Sequence, residues 1–202
     1  MGAGDGGFEI GVRTALEAIL SSPHFLLRME REPNQVAPGD VYTLDDMALA
    51  KRLSFFIWGT NPDAELLELA NRGKLSRNRI LKAQVLRMLA DPRSEALATR
   101  FASLWLRLQD LEKVEPDAFW FPNYSQQLMT AMRRETELFF YNLVREDRSM
   151  LELYNANYSF MNERLAQHYG IPNVLGEEFR RVEYTDDQRR GILGHEIGRA
   201  HV

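Results

Sequence analysis

The apolar block from Leu49 to Asp63 is the feature that most constrains how this chain can fold. It combines apolar residues at helical spacing with a stop at Gly59 and a new start signal at Asn61-Pro62-Asp63. A cap residue, a proline at the first helical position and an acid in the first turn are typical of a helix N-terminus. The block therefore predicts two successive helices joined by a tight turn.

Start and stop signals of the same kind recur along the chain and predict an all-α, helical bundle-like module. After a first helix from Phe8 to about Leu20, Pro23 begins a short turn. The expected caps are Thr43, Ser76, Ser125 and Ser159, and the expected stops are Gly73, Asp91-Pro92 and Gly170. These signals predict at least six helices and little sheet, with only a weak strand pattern around residues 179–184.

The predicted core consists of apolar residues that share one face of each helix. The clearest stripe runs from Leu97 to Leu108. The residues expected to be buried are Leu53, Phe56, Leu66, Phe101, Trp105, Leu128, Met132, Phe139 and Leu165.

The composition argues against nucleic-acid binding, a membrane span and any cysteine-based site in this chain. The chain has 202 residues, of which 45% are hydrophobic, and a formal net charge of −4. Because no basic stripe stands out, nucleic acid is not an expected partner. No run of about 18 apolar residues occurs, so no membrane span is predicted. The absence of cysteine excludes disulfides, thiolate metal sites and covalent haem attachment within this stretch.

The connection over residues 111–123 is rich in aromatic residues, with Phe119, Trp120 and Phe121 in succession. Long loops of this kind can lie over the core or act as the lid of a binding site. The sequence leaves both interpretations open.

Six sequence blocks carry a family resemblance. They are RLSFFIW at 52–58, PDAEL at 62–66, RMLADPR at 87–93, Phe101 with Trp105-Leu106, RRETE at 133–137 and NERLAQHYG at 162–170. In this order, the blocks resemble the domain-of-unknown-function family 1592, a planctomycete-type secreted domain. The resemblance implies a large exported protein that often carries a c-type cytochrome segment elsewhere. No cofactor is expected in this chain itself, and haem c would bind outside it.

The flanks resemble neighbouring domains of the same proteins. FEIGVR at 8–13 with SPHFL at 22–26 resembles the end of a preceding 1595-type domain, and RRGILG at 189–194 resembles the start of a following 1588-type domain. We therefore expect the preceding domain and a linker over 1–40, the helical domain over 41–170 and the following domain over 171–196. The expected partners are these flanking domains and the cytochrome segment.

The C-terminal residues contain His195 and His201 with Glu196 between them, which invites a zinc-protease interpretation. Metalloprotease histidines are four residues apart on one helical face. These two are about 120° from sharing a face, and no third ligand is placed for them. His24 and His168 also lack partners at ligand spacing, so no metal site is predicted.

The last six residues, 197–202, resemble one reading frame of a common sequencing adapter. We therefore expect them to be non-biological and the chain to be a truncated, metagenomic read of a longer protein. This tail and the glycine-rich residues 1–7 are expected to be unpacked.

Glu135 is the one carboxylate expected to be buried. The apolar face of its helix is formed by Leu128, Met132, Phe139 and Leu143. At 100° per residue, Glu135 lies within about 20° of that face, whereas Glu137 points the other way. A buried carboxylate is costly unless it is paired. We expect a structural ion pair with Arg52; the alternative is a catalytic acid or base, for which no second group is evident.

These features predict a non-catalytic structural or interaction module of an exported protein, placed outside the cytoplasm by the family resemblance. The alternative is part of an extracytoplasmic oxidoreductase that contributes a substrate or electron-transfer surface. No catalytic, cofactor-binding or metal-binding residue is assigned. A hydrolase would need an acid pair in a cleft, which the sequence does not show.

Overall fold

The computed structural model describes residues 7–27, 36–37, 39–117, 119–185 and 188–199, which belong to two units divided after Leu44. The first unit contains α1 (Gly7–Leu20) and α2 (Pro23–Leu26). Pro23 is the first residue of α2, as predicted. Every residue of α1 is exposed, including its apolar residues.

The second unit is mostly helical, and the prediction of an all-α fold with little sheet is confirmed. Its helices are α3 (Asp46–Ile57), α4 (Ala64–Asn71), α5 (Asn78–Ala90), α6 (Ser103–Trp105), α7 (Gln126–Arg145), α8 (Glu152–Asn155), α9 (Glu163–Tyr169) and α10 (Glu196–Arg199). Short 3-10 helices span Pro92–Glu95, Leu108–Lys113 and Ile192–Gly194, and a π-helix spans Leu97–Ala102. None of the described helices is long and apolar enough to cross a membrane.

The only sheet among the described residues pairs β1 (Tyr158–Met161) with β2 (Arg180–Glu183) in antiparallel register. Ser159 faces Val182 across this pair. β2 lies within the weak strand pattern at residues 179–184, whereas β1 lies where a helix start was expected.

Helix starts follow the expected chemistry, but two capping residues differ from the prediction. The carboxylates of Asp45 and Asp63 accept hydrogen bonds from the first turns of α3 and α4, in place of Thr43 and Asn61. In both cases the chain stays extended up to the acid, so the helix begins later than expected. Ser125 caps α7 as predicted and accepts a hydrogen bond from the Leu128 amide at 3.2 Å.

Ser76 was expected to cap the next helix and does not. Its backbone N–H donates to the Asp46 carboxylate at 3.1 Å, and the residue that precedes α5 is Arg77, which makes no side-chain cap. Asp46 thus joins the start of α3 to the turn before α5.

The core of the second unit forms around α7, which is buried on most of its circumference. One apolar cluster joins α7 to α3, α4 and α5, a second joins it to β1 and α9, and a third joins it to the 3-10 helix Leu108–Lys113. The predicted core residues Leu66, Leu128, Phe139 and Leu165 are buried, and Leu53 and Met132 are partly buried.

The prediction of burial is wrong for three residues. Phe56, Phe101 and Trp105 are 55%, 43% and 53% exposed. The π-helix Leu97–Ala102 explains the exposure of Phe101 and Trp105. Its turn is wider than that of an α-helix, so side chains spaced for 3.6 residues per turn no longer share one face. The small residues Ala98 and Ala102 are completely buried there instead.

The three misplaced rings form an exposed aromatic patch, defined here as Phe56, Phe101 and Trp105. The ring centroids of Phe56 and Phe101 are 5.4 Å apart, and those of Phe101 and Trp105 are 6.2 Å apart. Phe101 also lies 6.3 Å from the buried ring of Phe140, so the patch is anchored to the core.

Trp58 follows α3 and brings three of the sequence blocks together. Its indole N–H donates to the Met88 carbonyl at 2.9 Å, and the Arg93 guanidinium lies 3.6 Å from its ring centroid. Beside it, Arg87 donates two hydrogen bonds to Asp63, at 2.7 and 3.2 Å. The blocks at 52–58, 62–66 and 87–93 therefore build one structural junction.

Candidate functional site

Glu135 lies in the middle of α7, and its side chain is completely buried, as predicted. The Ser159 hydroxyl donates to Oε1 at 2.6 Å, and the Tyr169 hydroxyl donates to Oε2 at 2.6 Å. Both carboxylate oxygens are therefore satisfied by hydroxyl groups, which offset part of the cost of burial without placing a second charge beside them.

Ser159 reaches Glu135 because it belongs to β1. Alternate side chains of a strand point to opposite faces, and at Ser159 the inward face is the one toward α7. The prediction that Ser159 caps a helix is therefore wrong. Asn162 caps α9 instead, and its side-chain oxygen accepts a hydrogen bond from the Leu165 amide at 3.1 Å.

His195 completes the site and is also completely buried. Its Nε2 atom lies 3.2 Å from the Ser159 hydroxyl oxygen and 3.8 Å from Glu135 Oε1. Its Nδ1 atom lies 3.1 Å from the Thr136 hydroxyl oxygen. We refer to Glu135, Thr136, Ser159, Tyr169 and His195 as the polar cluster.

Sequence reasoning treated His195 only as a possible metal ligand and missed this role. The residues that surround it come from α7 and β1, which lie far away in the sequence. No local spacing pattern could have pointed to them.

Burial changes the protonation of the two titratable groups at the centre of the polar cluster. It raises the pKa of Glu135 from 4.5 to about 7, against the opposing effect of the hydrogen bonds from Ser159 and Tyr169. Burial also lowers the pKa of His195 from 6.5 to about 3, helped by the positive charge of Arg189. Near neutral pH, His195 is therefore uncharged, and the titration of Glu135 is moved from the acidic range toward neutrality.

Arg52 is the residue expected to pair with Glu135. Arg52 is exposed on α3, and the hydrogen bonds described for Glu135 come from hydroxyl groups. The ion pair between Arg52 and Glu135 stays a prediction.

Glu137, two residues further along α7, is buried as well, which the sequence did not suggest. It points away from Glu135, as expected, but packs under two arginines. Arg133 donates to it at 3.0 Å and Arg134 at 3.4 Å. The same arginines reach Glu112 at 3.2 Å and Glu95 at 2.6 Å. The RRETE block thus places one carboxylate among hydroxyls and the other among guanidinium groups.

A cavity of about 610 Å³ lies between α7 and the aromatic connection over residues 111–123. Trp120 and Phe121 border it and are 73% and 61% exposed, whereas Leu111 is buried. The connection therefore covers the core at Leu111 and borders a cavity at its two aromatic rings. The polar corner of the cavity is formed by His168 and Glu196.

The polar cluster has residue types found in catalytic centres, but its Glu135, Ser159 and His195 side chains are completely buried in the part of the chain that the structure describes. Glu135, Ser159 and His195 line neither this cavity nor a second one of about 730 Å³ beside Arg133 and Arg134. A general base or nucleophile must reach the atom on which it acts.

The histidines give no sign of a metal site in the part of the chain that the structure describes, where no group of three acidic, histidine or cysteine side chains could hold a metal ion. His168 lies at the surface, with its Nε2 atom 3.9 Å from Glu196. The side chain of His24 and the whole of His201 lie outside the described residues.

A family model described as PSD4, protein of unknown function (DUF1592), matches residues 44–171. No curated protein and no solved structure matches the chain. The matched range contains Glu135, Ser159 and Tyr169, whereas His195 lies beyond it. The polar cluster therefore joins the matched domain to residues that follow it.

Proposed function

We propose that this chain, which belongs to the PSD4 family of proteins of unknown function (DUF1592), is a non-catalytic helical module with a structural and interaction role in an exported multidomain protein. The complete burial of Glu135, Ser159 and His195 carries this proposal. These side chains join α7, β1 and the residues after β2, and a buried polar group that joins three elements supports a structural role.

The aromatic patch supports the interaction role. Phe56, Phe101 and Trp105 are each about half exposed and lie side by side. Adjacent exposed aromatic residues are a common feature of protein contact sites. The partners that we propose are the flanking domains of the same chain and a c-type cytochrome segment, which would hold haem c outside this module. The extracytoplasmic location rests on the family resemblance.

One observation favours a second candidate, a part of an extracytoplasmic oxidoreductase. The cavity of about 610 Å³ has aromatic and apolar walls and one polar corner at His168 and Glu196. Cavities of this size and lining are typical of small-molecule sites. In this alternative, the module contributes a substrate or electron-transfer surface to the full-length protein.

Substrate screening and redox titration of the full-length protein, as wild type and as Glu135→Gln, separate the alternatives. A structural role predicts that the substitution changes stability and leaves any activity of the full-length protein intact. An activity that disappears in Glu135→Gln while the melting temperature is preserved would contradict the proposal and favour a catalytic Glu135.

Site-specific photo-crosslinking in the full-length protein tests the interaction role. A crosslinking residue at position 105 should capture a flanking domain or the cytochrome segment. The matched control is position 86, because Leu86 is 58% exposed on α5 and lies outside the aromatic patch. Equal capture from both positions, or none from position 105, would contradict the proposed contact surface.

A further inference from the structure

The hydrogen atoms of the polar cluster determine the tautomer of His195 while Glu135 is ionised. Ser159 has a single hydroxyl hydrogen, and the carboxylate oxygen at 2.6 Å is its strongest acceptor. The Ser159 oxygen can then only accept from His195 Nε2, 3.2 Å away. A neutral imidazole carries one N–H, so Nδ1 is an acceptor and the Thr136 hydroxyl donates to it over 3.1 Å.

Protonation of Glu135 allows the opposite order. The carboxylic O–H can donate to Ser159, which leaves the Ser159 hydrogen free to donate to His195 Nε2. The imidazole hydrogen is then on Nδ1 and is donated to Thr136. The Thr136 hydroxyl turns to the Met132 carbonyl oxygen, 3.4 Å away. Each hydrogen of the chain from Glu135 to Thr136 has an acceptor in both orders.

We propose that Glu135 and His195 form a proton-linked switch, in which protonation of the carboxylate moves the single N–H of neutral His195 from Nε2 to Nδ1. One proton is taken up from water in total: the Nε2 proton passes to Ser159, the Ser159 proton passes to Glu135, and the proton taken up ends on Nδ1. The carboxylate becomes a neutral carboxylic acid, and the imidazole stays neutral. The Ser159 hydroxyl lies between the two residues and couples the protonation of Glu135 to the tautomer of His195.

The groups around the polar cluster do not disturb this chain. Tyr169 donates to the other carboxylate oxygen and accepts the Glu196 backbone N–H at 3.0 Å, and burial raises its pKa, so it stays protonated. Burial also raises the pKa of Tyr184, and the nearby Ser159 hydroxyl lowers it in part. Among the described residues, no group hydrogen-bonds to the Tyr184 hydroxyl.

Two charged side chains of the described residues shift the pKa of Glu135 in opposite directions. Arg189 favours the ionised form of Glu135 and Glu196 disfavours it, and the two side chains form an ion pair of 2.9 Å. Desolvation is therefore the main influence on the carboxyl group, and it places the pKa of Glu135 at about 7.

The switch reverses the hydrogen-bond direction without opening the polar cluster. In both orders, hydrogen bonds connect α7, β1 and His195. These elements therefore stay joined both below and above neutral pH.

The ring ¹⁵N chemical shifts of His195, followed from about pH 5 to about pH 9 in the intact chain, test the proposal because they distinguish the two neutral tautomers and the imidazolium. We expect the Nε2–H form at high pH and the Nδ1–H form at low pH, with the ratio changing about tenfold per pH unit. The midpoint should coincide with that of the Glu135 carboxyl ¹³C shift. A single tautomer throughout, or an imidazolium that forms as Glu135 titrates, would overturn the proposal.

Ser159→Ala is the matched control variant, because it removes the link and keeps the Tyr169 hydrogen bond to Glu135. Glu135 should still titrate in this variant, and the His195 tautomer should no longer follow it. A tautomer that still follows the carboxyl titration would show that Ser159 does not pass the change. If the variant does not fold, the wild-type titration alone decides.

Discussion

At the scale of single residues, folding moves the pKa values of Glu135 and His195 in opposite directions. The raised pKa of Glu135 means that the folded chain holds a proton that the unfolded chain releases between pH 4.5 and about 7. The lowered pKa of His195 means that the unfolded chain holds a proton that the folded chain has lost between pH 6.5 and about 3. The Glu135 contribution to stability is thus lost as pH rises through about 7, and that of His195 is lost as pH falls below 6.5.

These two effects cancel where they overlap, so we expect the polar cluster to add no slope to the free energy of unfolding between pH 4.5 and 6.5. In Glu135→Gln only the His195 effect remains, and stability should rise by about 3 kcal/mol over that window relative to wild type. Chemical denaturation at several pH values measures the difference. Parallel pH profiles for the two proteins would contradict the opposed titrations.

The predicted ion pair between Glu135 and Arg52 is tested by a double-mutant cycle. If the pair forms, Glu135→Ala and Arg52→Ala remove the same contact, so their losses of free energy of unfolding should not add. Replacing both residues should then cost less than the two single changes together. Additive effects at positions 52 and 135, measured by chemical denaturation, would show that the pair does not form.

Tyr169 provides the comparison for that cycle, because its hydroxyl donates to Glu135 at 2.6 Å. Tyr169→Phe should lower the free energy of unfolding by about 1–3 kcal/mol, the cost of an unpaired buried acceptor. Its effect should be smaller in a Glu135→Ala background, where only the hydrogen bond from the Glu196 backbone N–H is lost. Equal effects of Tyr169→Phe in both backgrounds would show that Glu135 is not its partner.

At the scale of elements, the junction around Trp58 fixes how α3, α4 and α5 meet. Asp63 has two tasks there, since it caps α4 and accepts two hydrogen bonds from Arg87. The hydrogen bond from Arg87 keeps the pKa of Asp63 below its usual value.

We expect Asp63→Ala to lower the free energy of unfolding by about 1–2 kcal/mol, the range for the loss of a helix cap. The matched control is Asp110→Ala, because Asp110 also bridges two cations, Arg107 and Lys113, but lies inside a 3-10 helix and not at a helix start. Both cations are exposed, and ion pairs with exposed groups contribute little, so the control should melt close to wild type. Equal losses in the two variants, measured by thermal denaturation, would contradict the role assigned to the junction.

The sequence predicted helix existence better than it predicted the start of each helix. Capping acids and Ser125 act locally, so their chemistry is visible in a few neighbouring residues. Ser159 looked like another cap because the same residue type serves helix starts and strands. Only the pairing of β1 with β2, which brings together residues about twenty positions apart, decided that it belongs to a strand.

At the scale of the whole molecule, residues beyond the family match are part of the same compact unit. β2 pairs with β1, and the Gly191 amide donates to the Ala156 carbonyl at 2.9 Å. His195 then enters the polar cluster. The assignment of residues 171–196 to a following domain stays a prediction, but these residues pack against α7, α8 and β1.

We therefore expect a chain that ends at Ile171 to lose cooperative folding. β1 would lose its partner strand β2, and Glu135 would lose the contact with His195 and become exposed to solvent. Thermal unfolding followed by circular dichroism should show a broad, early transition. The control is a chain that ends at Arg199, which keeps His195 and the buried Ile197 and should melt cooperatively. A cooperative transition at the full-length temperature in the shorter chain would contradict this expectation.

The tail is the clearest correction at this scale. Ile197 is 6% exposed and packs with Leu108, Leu111 and Met129, so the expectation that the segment from Ile197 onward is unpacked is wrong at this residue. An apolar side chain at this position finds an apolar surface whatever its origin, and the adapter origin of residues 197–202 stays a prediction. Residues 1–6 and 200–202 lie outside the described residues.

We now expect Ile197→Ala to lower the free energy of unfolding by about 2–5 kcal/mol, the usual cost of this change in a core. Leu193→Ala is the control, since Leu193 is 67% exposed nearby. Chemical denaturation of the two variants measures the difference. No loss in Ile197→Ala would restore the original expectation of an unpacked tail.

By itself, the sequence determined the helical class, most helix positions and the burial of Glu135, because periodicity and capping act between residues close along the chain. Tertiary structure decided which side chains surround that carboxylate. Ser159, Tyr169 and His195 reach it from β1, α9 and the segment after β2, and no spacing rule relates these elements. It also decided that Phe101 and Trp105 face outward, because a π-helix changed the phase of their stripe. A local pattern can predict that a group is buried, but only the long-range packing of the chain determines which groups are buried beside it.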